Sequence, residues 1–152
     1  MRKSVSLSEY VRKRNGVPLG ASGALKRMFV RAFGASSFPR FWNYWNPIWN
    51  YFLTRDVLRP VSRVAPMWVA VLVTFVVSGA LHDLAISLVK LEFYTFFTPW
   101  FALMGTQVIL SKKYAIEYQR HRFITRVLFN TLFIAVSFAI IFTIKYLYLN
   151  TF

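Results

Sequence analysis

The sequence predicts an all-α integral membrane protein: a single membrane domain over residues 1–152, with about three transmembrane helices and N-terminal interfacial amphipathic helices. Three observations predict it. The chain is 57% hydrophobic and 19% aromatic over 152 residues, too apolar for a soluble domain of this length. Its apolar residues gather into runs able to cross roughly 30 Å of hydrocarbon at about 1.5 Å of rise per residue. Its 19 Lys and Arg, for a net charge of +14, bracket those runs instead of forming a face interleaved with polar base readers, which points to a membrane surface and away from nucleic acid. The sequence contains no cysteine, which excludes disulfides, thiolate metal ligands and cysteine nucleophiles.

Residues 1–66 read as a cytoplasmic and interfacial prelude. Met1–Arg14 lacks the apolar core of a signal peptide. Ala24–Phe33 places Leu25, Met28, Phe29 and Phe33 on one helical face and Lys26, Arg27 and Arg31 on the other, with Gly34 as a C-cap. Such a helix docks on anionic lipid or packs on its own spans. After the cap candidates Ser36 and Ser37, Pro39 fits an early helical position. Phe38, Phe41, Trp42, Trp45, Trp49 and Phe52 then recur at three- and four-residue spacing. They predict one aromatic stripe, in a segment lying on the membrane, that reads as an interfacial belt or as core and is bordered by a row of amides, Asn43, Asn46 and Asn50. Pro47 predicts a break beside Asn46, because it removes a donor and disfavours helical geometry in the residue before it. Pro60 and Pro66 bound a basic connector near Arg55, Arg59 and Arg63.

Apolar runs predict spans at 67–89, 93–110 and 127–148, the second interrupted by Pro99 and Gly105. The positive-inside rule then places the N-terminal segment and the 111–126 loop in the cytoplasm and the C-terminus across the membrane. Lys145 can snorkel to the interface. The absence of cysteines and targeting signals is compatible with a bacterial inner membrane.

Within the first span, Ser78-Gly79-Ala80-Leu81-His82-Asp83 puts an imidazole and a carboxylate at a depth where ionisable groups cost several kcal/mol unless they face protein or water. Either they form a functional site or they satisfy neighbouring groups and lock helices together. Asp83 points about 100° away from His82 around a helix, so a water, a backbone carbonyl or another helix must orient the imidazole. A proton or cation pathway through His82, Asp83, Glu92 and Gln107 is a weaker reading, since only the first two lie deep in a span. His121, between Arg120 and Arg122, reads as a solvated loop residue or a phosphate contact. No Walker, dinucleotide-glycine, HExxH or Gly-x-Ser-x-Gly pattern is present.

The run Ser37-Phe38-Pro39-Arg40-Phe41-Trp42-Asn43-Tyr44-Trp45-Asn46-Pro47, followed by Arg59-Pro60 and by Ser78-Gly79-Ala80-Leu81-His82, resembles the membrane-bound O-acyltransferase family. In that family a Ser-Phe-x-x-Phe-Trp-x-x-Trp-(His or Asn) motif precedes a span ending in Ser-Gly-x-x-His. The resemblance covers roughly residues 36 to 83 and implies acyl transfer from a thioester, usually acyl-CoA as co-substrate, to a hydroxyl. It implies His82 as the catalytic histidine and Asn46 as the second active-site position. Trp42, Asn43 and Trp45, flanking Asn46, and Asp83, next to His82, are the candidate substrate-binding residues. No bound cofactor and no metal is expected. The chain departs from the pattern at Asp83, where a small residue is usual. Three spans do not by themselves enclose the family's reaction chamber, so the expected partners are membrane lipids and either further copies of the chain or a partner membrane protein. The other reading of the same residues is a non-catalytic membrane scaffold or lipid-binding subunit that keeps the family core.

Overall fold

The computed structural model describes residues 5–151, and every regular element among them is helical. The basic residues Arg2 and Lys3 lie outside the described residues. Helix α1 (Leu7–Asn15) opens on a capping box, in which Ser6 Oγ accepts from the Glu9 backbone N–H while the Glu9 carboxylate accepts from that of Ser6. It stops at Gly16, whose φ of 80° is the left-handed conformation that glycine adopts without strain. Asn15 Nδ2 donates to the Ala24 carbonyl at 2.9 Å and ties α1 to α2 (Ala24–Phe33).

Helix α3 (Phe38–Tyr44) is capped by Ser37, and the chain breaks where Pro47 predicts it: Trp45 is extended and Asn46 sits at φ 39°. Helix α4 (Pro47–Leu53) runs through a π-helical turn (Thr54–Leu58) into the short α5 (Arg59–Val61). The break divides the expected aromatic stripe in two. Phe38 and Phe41 are fully buried, with Phe38 stacked on Phe133 at 4.7 Å and Trp42 edge-on to Phe75 at 5.0 Å. Of the two readings of the stripe, this part takes the core, because its rings pack on Phe75 and Phe133 from the long helices that follow. Trp49 and Phe52 on α4 remain more than a third exposed. Helix α2 buries Ala32 and packs Phe29 and Phe33 on Trp45 while leaving Leu25 exposed beside Lys26 and Arg27.

Helices α6 (Met67–Lys90) and α8 (Phe123–Thr151) are long and apolar enough to cross a membrane. Helix α7 (Phe97–Lys113) has 17 residues and is shorter than the other two, so two helices meet the measure where three spans are expected. Its start also lies four residues later than the expected 93. Phe93 is apolar but 93% exposed in the connecting turn, and the helix begins where the Asp83 carboxylate collects the backbone N–H groups of Phe96, Phe97 and Thr98, each at 2.8 Å. The close α6–α7 seam depends on glycine: a Cβ at Gly79 would lie 2.6 Å from the Phe97 carbonyl oxygen, and one at Gly105 would lie 2.9 Å from Phe75 Cβ. Helix α8 joins this pair through Trp100 Nε1, which donates to Ser137 Oγ at 3.1 Å. The segment from α4 to α5 returns antiparallel along α6. Trp49 Nε1 donates to Ser78 Oγ at 3.0 Å, and further along, past the π-helical turn, Leu58 shares a depression with Val71.

Candidate functional site

A cavity of about 110 Å³ opens between the α3–α4 break and the middle of α6. Trp42, Trp45, Asn46 and Trp49 form one wall, Phe75, Ser78 and His82 the other, and Phe101 of α7 closes one end. The cavity exists because Asn46 reverses the chain. With Trp45 extended and Asn46 left-handed, a conformation an asparagine tolerates better than most residues, the indoles on either side of the break turn towards α6.

His82 is the basic group on this cavity. Its ring lies 5.1 Å from Phe101 and 5.6 Å from Phe97 between centroids, with the Trp49 indole edge-on at 6.0 Å. Its Nδ1 is 2.7 Å from the Ser78 carbonyl oxygen, one helical turn earlier. A carbonyl only accepts, so that contact requires Nδ1 to carry the hydrogen, and in the neutral ring the lone pair then resides on Nε2. The orienting group is therefore a backbone carbonyl, one of the three alternatives the helix geometry leaves. Ser78 serves both walls: its carbonyl sets the imidazole and its hydroxyl receives the Trp49 indole N–H.

Asn46 also lines the cavity, and its Oδ1 accepts from the Trp49 backbone N–H at 3.2 Å, capping α4. Its Nδ2 makes no hydrogen bond among the described residues. Trp42 has a buried indole N–H without an acceptor, whereas Asn50 is committed: its Nδ2 donates to the Trp42 carbonyl at 2.7 Å and its Oδ1 accepts from Thr54 Oγ1. The structure thus brings together His82, Asn46, Trp42 and Trp45.

Two candidate residues lie elsewhere. Asn43 is exposed and borders the shallower depression beside Thr54 and Leu58. Asp83 is buried in the α6–α7 seam, off the cavity, where Thr98 Oγ1 adds a fourth hydrogen bond at 2.6 Å to the three from backbone N–H groups. All its accepting capacity towards the protein serves to start α7, so it is a helix cap and not a substrate contact. Trp49, Phe101 and the Ser78 carbonyl are the site members that residue type alone does not single out. The spacing of Ser78 and His82 by four residues is the signal for the last of these.

The weaker reading, a proton or cation relay, gains no support: Gln107 Oε1 is buried without a partner, and Glu92 lies outside any helix in the turn after α6. Among the described residues no group of three His, Cys, Asp or Glu side chains comes together to hold a metal. His121 sits at the loop surface with its ring 5.9 Å from Phe129. No family model, curated protein or solved structure gives a significant match to this chain.

Proposed function

We propose that the protein is a membrane-bound acyltransferase, moving an acyl group from a thioester donor such as acyl-CoA to a hydroxyl acceptor, with His82 as general base. The observation that carries this reading is the Nδ1 contact to the Ser78 carbonyl, which leaves Nε2 as the uncommitted basic atom on a mostly aromatic cavity. In the reaction, Nε2 takes the proton of the acceptor hydroxyl as its oxygen attacks the thioester carbonyl. The tetrahedral intermediate then collapses, breaking the carbon–sulfur bond, and the imidazolium returns its proton to the departing thiolate. General-base assistance of this kind contributes about 10² to 10⁴ in rate. Asn46 Nδ2 is an uncommitted donor among the residues that line the cavity, suited to the negative charge that develops on the carbonyl oxygen.

In this reading α7 is a third crossing. Its 17 residues span about 25 Å, the short end of what a bilayer requires, and it pairs with α6 along its length. The α7–α8 loop and its flanking turns, which carry Lys112, Lys113, Arg122 and Arg126, together with the N-terminal segment, face the cytoplasm of a bacterial inner membrane. His82 lies about 22 Å along α6 from Met67, and the antiparallel α4–α5 segment makes a re-entrant wall that reaches that depth. Lipid and either further copies of the chain or a partner membrane protein complete the open side of the cavity.

The test is transfer of labelled acyl-CoA to acceptors in a membrane extract by protein purified in mild detergent. Wild type transfers label; His82→Ala does not. Asn46→Asp keeps an oxygen for the α4 cap while removing the amide donor, and transfers more slowly. Full activity in both variants overturns the assignment. No transfer by wild type in a stable complex favours the non-catalytic scaffold.

A further inference from the structure

On the basic side of the bundle, away from the His82 cavity and sharing no lining residue with it, a second cavity of about 290 Å³ lies where α2, the α2–α3 turn, the loop after α7 and the start of α8 meet. Arg31, Arg40 and Arg126 line it together with Ser36, Tyr44 and Gln119. Three guanidinium groups from three separate segments converge there, and no carboxylate lines the cavity. Glu117 reaches one of them, 3.8 Å from Arg40, with both side chains about half exposed.

Each arginine is held without being satisfied. Arg31 is stacked on Tyr44 at 4.9 Å and lies against Gly16, where a Cβ would come within 2.7 Å of Nη1, yet it makes no hydrogen bond or ion pair among the described residues. Arg126 has its guanidinium 5.9 Å from the centre of the Phe123 ring and a buried Nε with no acceptor. Arg40 donates to Ser36 Oγ at 2.8 Å. A buried N–H without a partner is destabilising until an acceptor meets it.

The frame around them is rigid. Asn130, fully buried on α8, donates to the carbonyls of Phe33 and Ala35 at 2.8 and 2.9 Å, while the Tyr118 backbone N–H donates to the Ser36 carbonyl at 2.9 Å. The Tyr118 hydroxyl closes this network on Asn130 Oδ1. Gly34 has no side chain to displace Phe123, since a Cβ there would lie 2.3 Å from that ring. The turn carrying Ser36 is thereby fixed against the helix carrying Arg126.

We infer that this cavity is a binding site for a phosphoryl group, presented either by an anionic phospholipid headgroup or by a soluble phosphate compound. Planar guanidinium forks match phosphate oxygens in bidentate geometry. Three of them, with Glu117 beside Arg40 as the one carboxylate near, favour a phosphate whose negative charge is not offset by a cation of its own, as choline offsets it in phosphatidylcholine. The position beside the first turn of α8 places the site at headgroup level.

The experiment uses the full chain in neutral maltoside detergent. Retention of dioleoylphosphatidylglycerol against dioleoylphosphatidylcholine is read by native mass spectrometry, and binding of inorganic pyrophosphate by equilibrium dialysis. The triple variant Arg31→Gln/Arg40→Gln/Arg126→Gln is compared with Arg12→Gln/Arg63→Gln/Arg122→Gln, which removes the same charge from exposed positions outside the cavity. The cavity variant is expected to lose tenfold or more in affinity, and the surface variant less than threefold. Retention of phosphatidylglycerol alone identifies a headgroup as the source, and pyrophosphate binding with the same arginine dependence identifies a soluble phosphate. Should the triple variant not fold, Arg31→Gln alone, which breaks no hydrogen bond in the protein, is expected to weaken binding severalfold. Equal losses in both triple variants, no loss on removing Arg31, or no binding of either probe by wild type overturns the inference.

Discussion

The two faces of α6 at His82 and Asp83 hold adjacent ionisable residues with opposite fates. On the α7 face, Asp83 accepts four hydrogen bonds and starts a helix. Beside the cavity between α4 and α7, His82 makes one hydrogen bond through Nδ1 and leaves Nε2 without a partner among the described residues. About 100° of helix rotation separates them. A polar group deep in an apolar helix is therefore not a site by virtue of depth: what distinguishes the two is how much of the hydrogen-bonding capacity the fold already uses.

The largest effect that tests this contrast is the loss of Asp83. Asp83→Ala orphans three backbone N–H groups and a hydroxyl at the start of α7, at roughly 1–3 kcal/mol for each group left buried. The expected outcome is a fall of about 10 °C or more in melting temperature in detergent, or no recoverable folded protein. His82→Ala gives the reverse pattern. Its melting temperature falls less than that of Asp83→Ala, since it orphans no buried donor and loses one hydrogen bond and the ring contacts to Phe97, Phe101 and Trp49, while on the proposed function acyl transfer falls about 10²- to 10⁴-fold. A stable Asp83→Ala without activity beside an unstable His82→Ala would exchange the two roles.

An intermediate effect is expected at the seam that lets Asp83 reach its donors. Gly79→Ala sets a Cβ 2.6 Å from the Phe97 carbonyl oxygen and 2.7 Å from Thr98 Cα, and both are backbone atoms that do not swing aside. Helix α7 must move away from α6 at the level of the cap, at about 1–3 kcal/mol for overpacking. Combining Gly79→Ala with Asp83→Ala should cost less than the sum of the two, because the first already weakens what the second removes. Strict additivity in thermal melts would separate the glycine from the cap.

Local signals made part of this legible. Pro47 marks the break at Asn46, Pro66 precedes the first residue of α6, and the four-residue step from Ser78 to His82 puts both on one face. The role of Asp83 was hidden because its partners are backbone N–H groups at Phe96, Phe97 and Thr98, which no side-chain pattern announces. For the same reason hydropathy extends the second apolar run back to Phe93, while the carboxylate sets the helix start at Phe97. The burial of Phe38 and Phe41 depends on Phe133, some ninety residues later, and the arginine cavity unites positions 31, 40 and 126. Contacts of that sequence separation leave no periodic trace.

The smallest effect sharpens the contrast at the opposite end of the bundle, where Asn130, like Asp83, is buried with its capacity used. Its Oδ1 accepts from the Tyr118 hydroxyl, and burial pushes that phenol well above its ordinary value of 10.0. The raised value favours the protonated phenol in the folded state, so its contribution to stability is fully present below pH 10 and is lost as pH rises beyond it towards the folded value. Tyr118→Phe removes both the hydrogen bond and this dependence. The wild type should therefore melt above the variant by a margin worth about 1 kcal/mol near neutral pH. That margin should shrink as the pH is raised past about 10, where the unfolded wild type gains a phenolate that the folded protein resists forming. A margin independent of pH would mean that the hydroxyl ionises as readily in the fold as out of it. The Asn130 network would then be open to solvent where Asp83 is closed.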